Sequence, residues 1–190
     1  MYSISEKTQS EKGSSKFFDA GIIEGVFIES LSYEKSDAGY ESLNVVIKNS
    51  DGTTLQQKYF EPKEGMYTDT KEKLQLEVER FCGVMKNIAS KFLGEDYVLA
   101  GKKTFKEFVE SVLKDIGKKY EGVELRTKLT YDKKGYLKLP KYAPVFELTT
   151  LEKTNFFIGK KDVLERPVKP DAEIQEEISK NAKPEDELLF

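Results

Sequence analysis

The spacing of apolar residues changes twice along the chain, and each change marks a boundary between kinds of structure. From Gly21 to Phe60 the pattern is that of strands. GIIEGVFIESLSY is rich in β-branched and aromatic residues, and SDAGYE supplies a turn after it. In SLNVVIK, Leu43, Val45 and Ile47 share one face while Asn44, Val46 and Lys48 share the other, the period of a half-buried strand. NSDG is a hairpin turn, TTLQQKYF is a third strand, and Pro62 and Gly65 close the segment.

From about Thr70 the period lengthens. In TKEKLQLEVERFCGVMKNIASKFL, residues Leu74, Val78, Phe81, Met85, Ile88 and Phe92 recur at helical spacing, with Thr70 as N-cap and Gly94 as stop. The cap signal is partial, because Lys73 occupies the position where a capping box carries Glu or Gln. TFKEFVESVLKDIGKKY forms a second helix. Thr104 and Glu107 make a capping box, and Phe105, Phe108, Val109, Val112, Leu113 and Ile116 form the apolar stripe.

Alternation then returns. In VELRTKLTY, residues Val123, Leu125, Thr127, Leu129 and Tyr131 oppose Glu124, Arg126, Lys128 and Thr130. DKKG is a hairpin loop, with Gly135 suited to a left-handed position. YLKLPKYAPVFELTTL predicts one further strand, bent or at an edge because Pro140 and Pro144 interrupt it. Beyond Leu151 the pattern is loose. Three strands, two helices and two strands is the element order of an OB-fold-like, five-stranded Greek-key barrel with a two-helix insert between strands 3 and 4. The fold class is therefore α+β and mainly β. A general α+β sheet with both helices on one face is the competing architecture. The divisions are a disordered lead-in over 1–19, the barrel domain over 20–168 and an acidic tail over 169–190.

Composition narrows the chemistry. The chain has no histidine, which removes the commonest general base and zinc ligand together and rules out triads that need an imidazole. With no Gly-rich phosphate loop and no paired acidic motif, the expectation is a protein that is not an enzyme and holds no cofactor. A metal site built only of distant carboxylates is the remaining enzymatic alternative. The single cysteine, Cys82, fits a reducing compartment and reads as a buried, inert thiol beside Phe81. No apolar run is long enough to span a bilayer and the N-terminus has no apolar core, so the expected location is cytoplasmic, with no membrane partner.

Charge is uneven. Residues 171–190 hold seven acids and two lysines, a net of −5, so the other 170 residues carry +2 of the chain's total of −3. The strand residues expected to face outward are basic and aromatic: Lys48, Lys58 and Phe60 in the first sheet segment, then Arg126, Lys128, Lys133, Lys134, Tyr136, Lys138, Lys141 and Tyr142. Single-stranded nucleic acid is bound by this mixture, since cations track phosphates and flat rings stack on any base. Tyr136 and Tyr142, near loop and strand ends, are the better stacking candidates. The same pattern also describes an ordinary amphipathic hairpin with solvated lysines.

The tail ends AKPEDELLF. Acids followed by two leucines and a phenylalanine suit a receptor with an apolar pocket and a basic rim. The alternatives are that Phe190 docks on its own barrel, or that the anionic tail competes with DNA for the basic groove.

The ending PEDELLF is similar to the acidic C-terminal tip of bacterial and phage single-stranded DNA-binding proteins. The strand order and the hairpin LRTKLTYDKKGYLKLPKY followed by VFE resemble the bacteriophage members. The resemblance implies single-stranded DNA as partner, in replication, recombination or repair in the host bacterial cytoplasm. It also assigns recruitment of replication or recombination proteins to Glu185, Asp186, Glu187, Leu188, Leu189 and Phe190. It leaves open assembly into a homo-oligomer. The chain departs from the bacterial pattern in ending Leu-Leu-Phe rather than Pro-Phe, in lacking a long Gly/Gln-rich linker and in having no tryptophan. The alternative function is a protein-interaction module, a virion or host-takeover factor, using the same fold without nucleic acid.

Overall fold

The computed structural model describes residues 17–65 and 68–167. In chain order it contains β1 (Gly21–Lys35), β2 (Glu41–Asn49), β3 (Thr54–Phe60), α1 (Lys71–Leu93), α2 (Phe105–Ile116), β4 (Leu125–Tyr131), β5 (Leu137–Lys138) and β6 (Glu147–Leu148). The strands are antiparallel in the order β3-β2-β1-β4-β5, with β6 also paired to β4. Strand β1 serves two neighbours. Gly21–Val26 pairs with β4, and Val26–Lys35 pairs with β2. Register breaks between Ile23 and Val26 and between Ile28 and Ser30 let the strand bend from one partner to the other. Gly25, at φ +70°, sits in the first break, where a side chain would be strained. This bend brings the two ends of the sheet together, and the Tyr59 hydroxyl of β3 donates to the Pro140 carbonyl just beyond β5 at 2.8 Å. The result is a nearly closed, barrel-like sheet with two helices, consistent with an OB-like barrel.

Alternation produces the core. Leu43, Val45 and Ile47 of β2 are fully buried, as their spacing predicts, and they meet Val26 and Ile28 of β1 and Leu125 and Leu129 of β4. Val109, Val112 and Ile116 put the apolar face of α2 against β1 and β2. Both threonine caps form: Thr70 Oγ1 accepts the Lys73 N–H at 3.2 Å and Thr104 Oγ1 accepts the Glu107 N–H at 3.1 Å. Glu107 reaches back to the N–H of Lys103, one residue before the cap, rather than to Thr104 itself. Helix α1 packs on α2 through Phe81, whose ring lies 4.8 Å from Phe105 and 6.2 Å from Phe108. Its first two turns carry no buried residue, so Leu74 and Val78, part of the expected stripe, stay outside the core. Phe18 is buried within that core, although it falls in the expected lead-in. No helix among the described residues is long and apolar enough to cross a membrane.

The last part of the barrel differs from its sequence pattern. Instead of one interrupted strand, the segment after Gly135 gives two strands of two residues each, β5 and β6. Pro140 and Pro144 lie between them and break the ladder, and the chain leaves β5 only to return to β4 at Leu125–Leu148. Asn87 of α1 fixes the return. Its Oδ1 accepts the N–H groups of Val145 and Phe146 at 2.7 and 2.9 Å. Residues 152–167 then lie over β4 without regular structure, tied by the Tyr131 N–H to the Val163 carbonyl at 2.8 Å.

Candidate nucleic-acid interface

Where β3 faces the exit of β5, the barrel is bridged by a side chain rather than a full ladder, and a groove of about 440 Å³ remains. Alternation along β3 turns Tyr59 inward and leaves Lys58 and Phe60 outside, with Phe60 57% exposed. Lys138, Lys141 and Tyr142 line the opposite wall, and the buried Phe81 and Val84 of α1 lie beneath. Five of the residues expected to bind DNA thus meet at one groove, drawn from segments far apart in the chain.

The groove's cations are all partnered by carboxylates. Lys58 pairs with Glu34 at 2.6 Å, Lys138 with Asp132 at 3.9 Å and Lys141 with Glu77 at 3.7 Å. The Tyr142 ring has the Arg80 guanidinium 4.7 Å from its centre and Lys141 Nζ at 4.8 Å, and its hydroxyl donates to Glu77 at 3.2 Å. Arg80 also pairs with Glu77 at 2.5 Å. Desolvation, the largest influence on Glu77, pushes its pKa up, but Arg80, Lys141 and Tyr142 outweigh it and hold the carboxyl below its ordinary value. Beside the groove, Asn44 donates to Glu34 at 2.8 Å and accepts from Gln56 at 2.8 Å, so the outer face of β1, β2 and β3 is a connected polar surface.

No family model matches the chain, and no curated protein matches it. The site therefore rests on this geometry. The sequence alone missed Arg80 and Glu77, because their link to Tyr142 spans more than sixty residues and leaves no periodic trace. Their i,i+3 spacing on α1 was the one local signal.

The other expected residues lie elsewhere. Lys133, Lys134 and Tyr136 form the exposed tip of the β4–β5 hairpin, with Tyr136 59% exposed and Lys138 Nζ 5.7 Å from the centre of its ring. Asp132 sets this tip by accepting the N–H groups of Lys134 and Tyr136 at 2.9 Å each. Gly135 takes φ +79° there, as expected. Lys48 sits at the other end of β2, paired with Glu29 at 3.4 Å.

Arg126 and Lys128 depart from the expectation of an open strand face. Arg126 points away from the barrel core but is only 6% exposed, because β6 and the segment following it cover that face. It holds Glu24 at 2.6 Å and lies 3.6 Å from the buried Glu147. Lys128 is half-buried under residues 157–162, bonded to Asp162 at 2.9 Å and the Phe157 carbonyl at 3.3 Å. Cys82 is also placed differently: it is exposed on α1, facing a cavity between the helices, with its thiol pKa raised first by burial and then by Glu79. Glu185 through Phe190 lie outside the described residues.

Proposed function

We propose that this chain binds single-stranded DNA without sequence preference and without catalysing a reaction on it. In this reading the fold is an OB-type Greek-key barrel with a two-helix insert between strands 3 and 4. The groove between β3 and β5 takes the strand, and the segment Glu185–Phe190 recruits proteins of replication, recombination or repair, as in the phage proteins that the sequence resembles. The observation that carries it is the convergence of Phe60 and Tyr142 with Lys58, Lys138 and Lys141 on one open groove. An exposed ring contributes roughly 1–3 kcal/mol per stacked base. The lysines' carboxylate partners are exposed ion pairs, worth about 0–1 kcal/mol each, so phosphates displace them at little cost. Tyr136, Lys133 and Lys134 on the hairpin tip extend the same surface.

The test is a fluorescence titration of the full chain with a labelled single-stranded oligonucleotide at two salt concentrations, with duplex DNA as control. The reading requires sequence-tolerant binding that weakens with salt and favours the single strand. Phe60→Ala should weaken it by the stacking increment. Binding that is absent, or equal for duplex and single strand, overturns the proposal.

A further inference from the structure

A second cavity, of about 590 Å³, opens between α1, α2 and the loop joining them. Its surface is mostly apolar, formed by Phe81, Met85, Phe105 and Phe108 with Val98 at the mouth, and Val98 is 82% exposed. A valine so exposed beside a cluster of aromatic rings leaves apolar surface uncovered. Around the mouth stand Lys86, Lys102 and Lys103. Among the described residues none of the three makes a salt bridge, in contrast to the lysines of the β3–β5 groove. Among the described residues the one acid lining the cavity is Glu61, which is already held by Lys63 at 2.9 Å. The site is thus apolar inside and cationic at the rim.

The chain carries a segment of the complementary composition. Glu185, Asp186 and Glu187 precede Leu188, Leu189 and Phe190. Residues 168 to 190 follow the last described position, and 23 residues can reach at most about 75 Å. A body of this size has a radius of gyration of about 15 Å, so the cavity is within reach of its own chain.

We infer that the α1–α2 cavity is a docking site for this chain's own Glu185–Phe190 segment, with Phe190 and a leucine entering between the helices and the three acids meeting Lys86, Lys102 and Lys103. The inference does not depend on DNA binding. It means that a partner taking the segment must draw it out of the cavity, so the protein recruits through an end that is held at home until it is displaced.

Cys82 lines this cavity and is the only cysteine in the chain, which provides a direct readout. The experiment measures the rate of Cys82 modification by a small thiol reagent in the native full chain and in a chain lacking residues 185–190. Docking protects the thiol, so truncation should speed the reaction roughly five- to tenfold, the factor by which a mostly closed site lowers its open population. Adding the peptide AKPEDELLF to the truncated chain should restore the protection. In the full chain, Lys102→Glu with Lys103→Glu should remove it, judged against the same pair of changes in the truncated background, which corrects for any direct effect on the thiol. Equal rates with and without the segment overturn the inference, as does protection that survives the lysine reversals. Protection lost on dilution means that a second copy supplies the segment, and this also overturns docking within one chain.

Discussion

The carboxamide of Asn87 bonds three backbone groups of one segment: it accepts from Val145 and Phe146 and donates to the Phe146 carbonyl at 3.3 Å. Val145 and Phe146 are fully buried, so no water replaces a lost partner. Each buried group left unpaired costs about 1–3 kcal/mol, and Asn87→Ala should therefore destabilise the protein by roughly 2–4 kcal/mol. Urea unfolding checks this, and the midpoint should fall without a change in slope. Arg126 poses a related problem with charge. Glu147 is 3% exposed and also accepts from Thr154 Oγ1 at 2.7 Å and the Asn155 N–H at 2.8 Å. Arg126→Ala leaves that carboxylate without its buried cation, a loss of about 3–5 kcal/mol. Arg126→Met with Glu147→Gln removes both charges while keeping groups that can bond Thr154 and Asn155, and should recover much of the loss. Oligonucleotide affinity should then match the parent, since Arg126 is covered; a drop at equal stability would show that it reaches DNA.

At the scale of elements, what the sequence disclosed depended on periodicity. Leu43, Val45 and Ile47 are buried because alternation on a curved sheet forces one face inward, and Thr70 and Thr104 cap helices because their side chains satisfy free N–H groups. Residues 152–167 have no period, so nothing local indicated that they would cover the outward face of β4. Parity correctly set Arg126 and Lys128 opposite the core, yet outward did not mean exposed. The same limit applies to the groove: Lys58 and Phe60 were readable as outward on β3, but their meeting with Tyr142 depends on the bend of β1. The covering segment has its own test in the pair Lys128–Asp162. Desolvation is the largest influence on Asp162 and raises its pKa, but the Gly159 N–H and Lys128 together hold it below the ordinary value. A carboxyl depressed in the folded state stabilises above its unfolded pKa, and that contribution is lost as pH falls through the folded value. Acidification below the usual carboxylate range should therefore loosen residues 157–163 from β4, seen as lower protection of the Gly159 and Tyr131 N–H groups, with exchange referenced to the intrinsic rate at each pH. Asp162→Asn should loosen the segment at neutral pH and remove this step from the profile.

For the whole molecule the decisive quantity is where charge sits rather than its total. A body of +2 attracts DNA weakly at long range, so the affinity of the proposed function must come from local replacement of carboxylates by phosphates in the groove. If Lys58, Lys138, Lys141 and Arg80 each take one phosphate, log K should fall against log salt with a slope of about −3, the single-strand coefficient applied to four contacts. Glu77 is the residue on which this exchange turns, because Arg80, Lys141 and the Tyr142 hydroxyl all converge on it. Glu77→Gln keeps an acceptor for Tyr142 while freeing two cations and removing an anion from the path of the strand. Unit charges about 4 Å apart in water interact by roughly 1 kcal/mol, so the substitution should tighten single-strand binding about fivefold at low salt. The stability cost should stay within about 1 kcal/mol, because the ion pairs it breaks are exposed. The gain should shrink as salt rises, whereas a packing effect would persist at every concentration. Unchanged affinity with a stable fold would mean that the strand does not pass Tyr142, and the β3–β5 groove would lose its claim to be the interface.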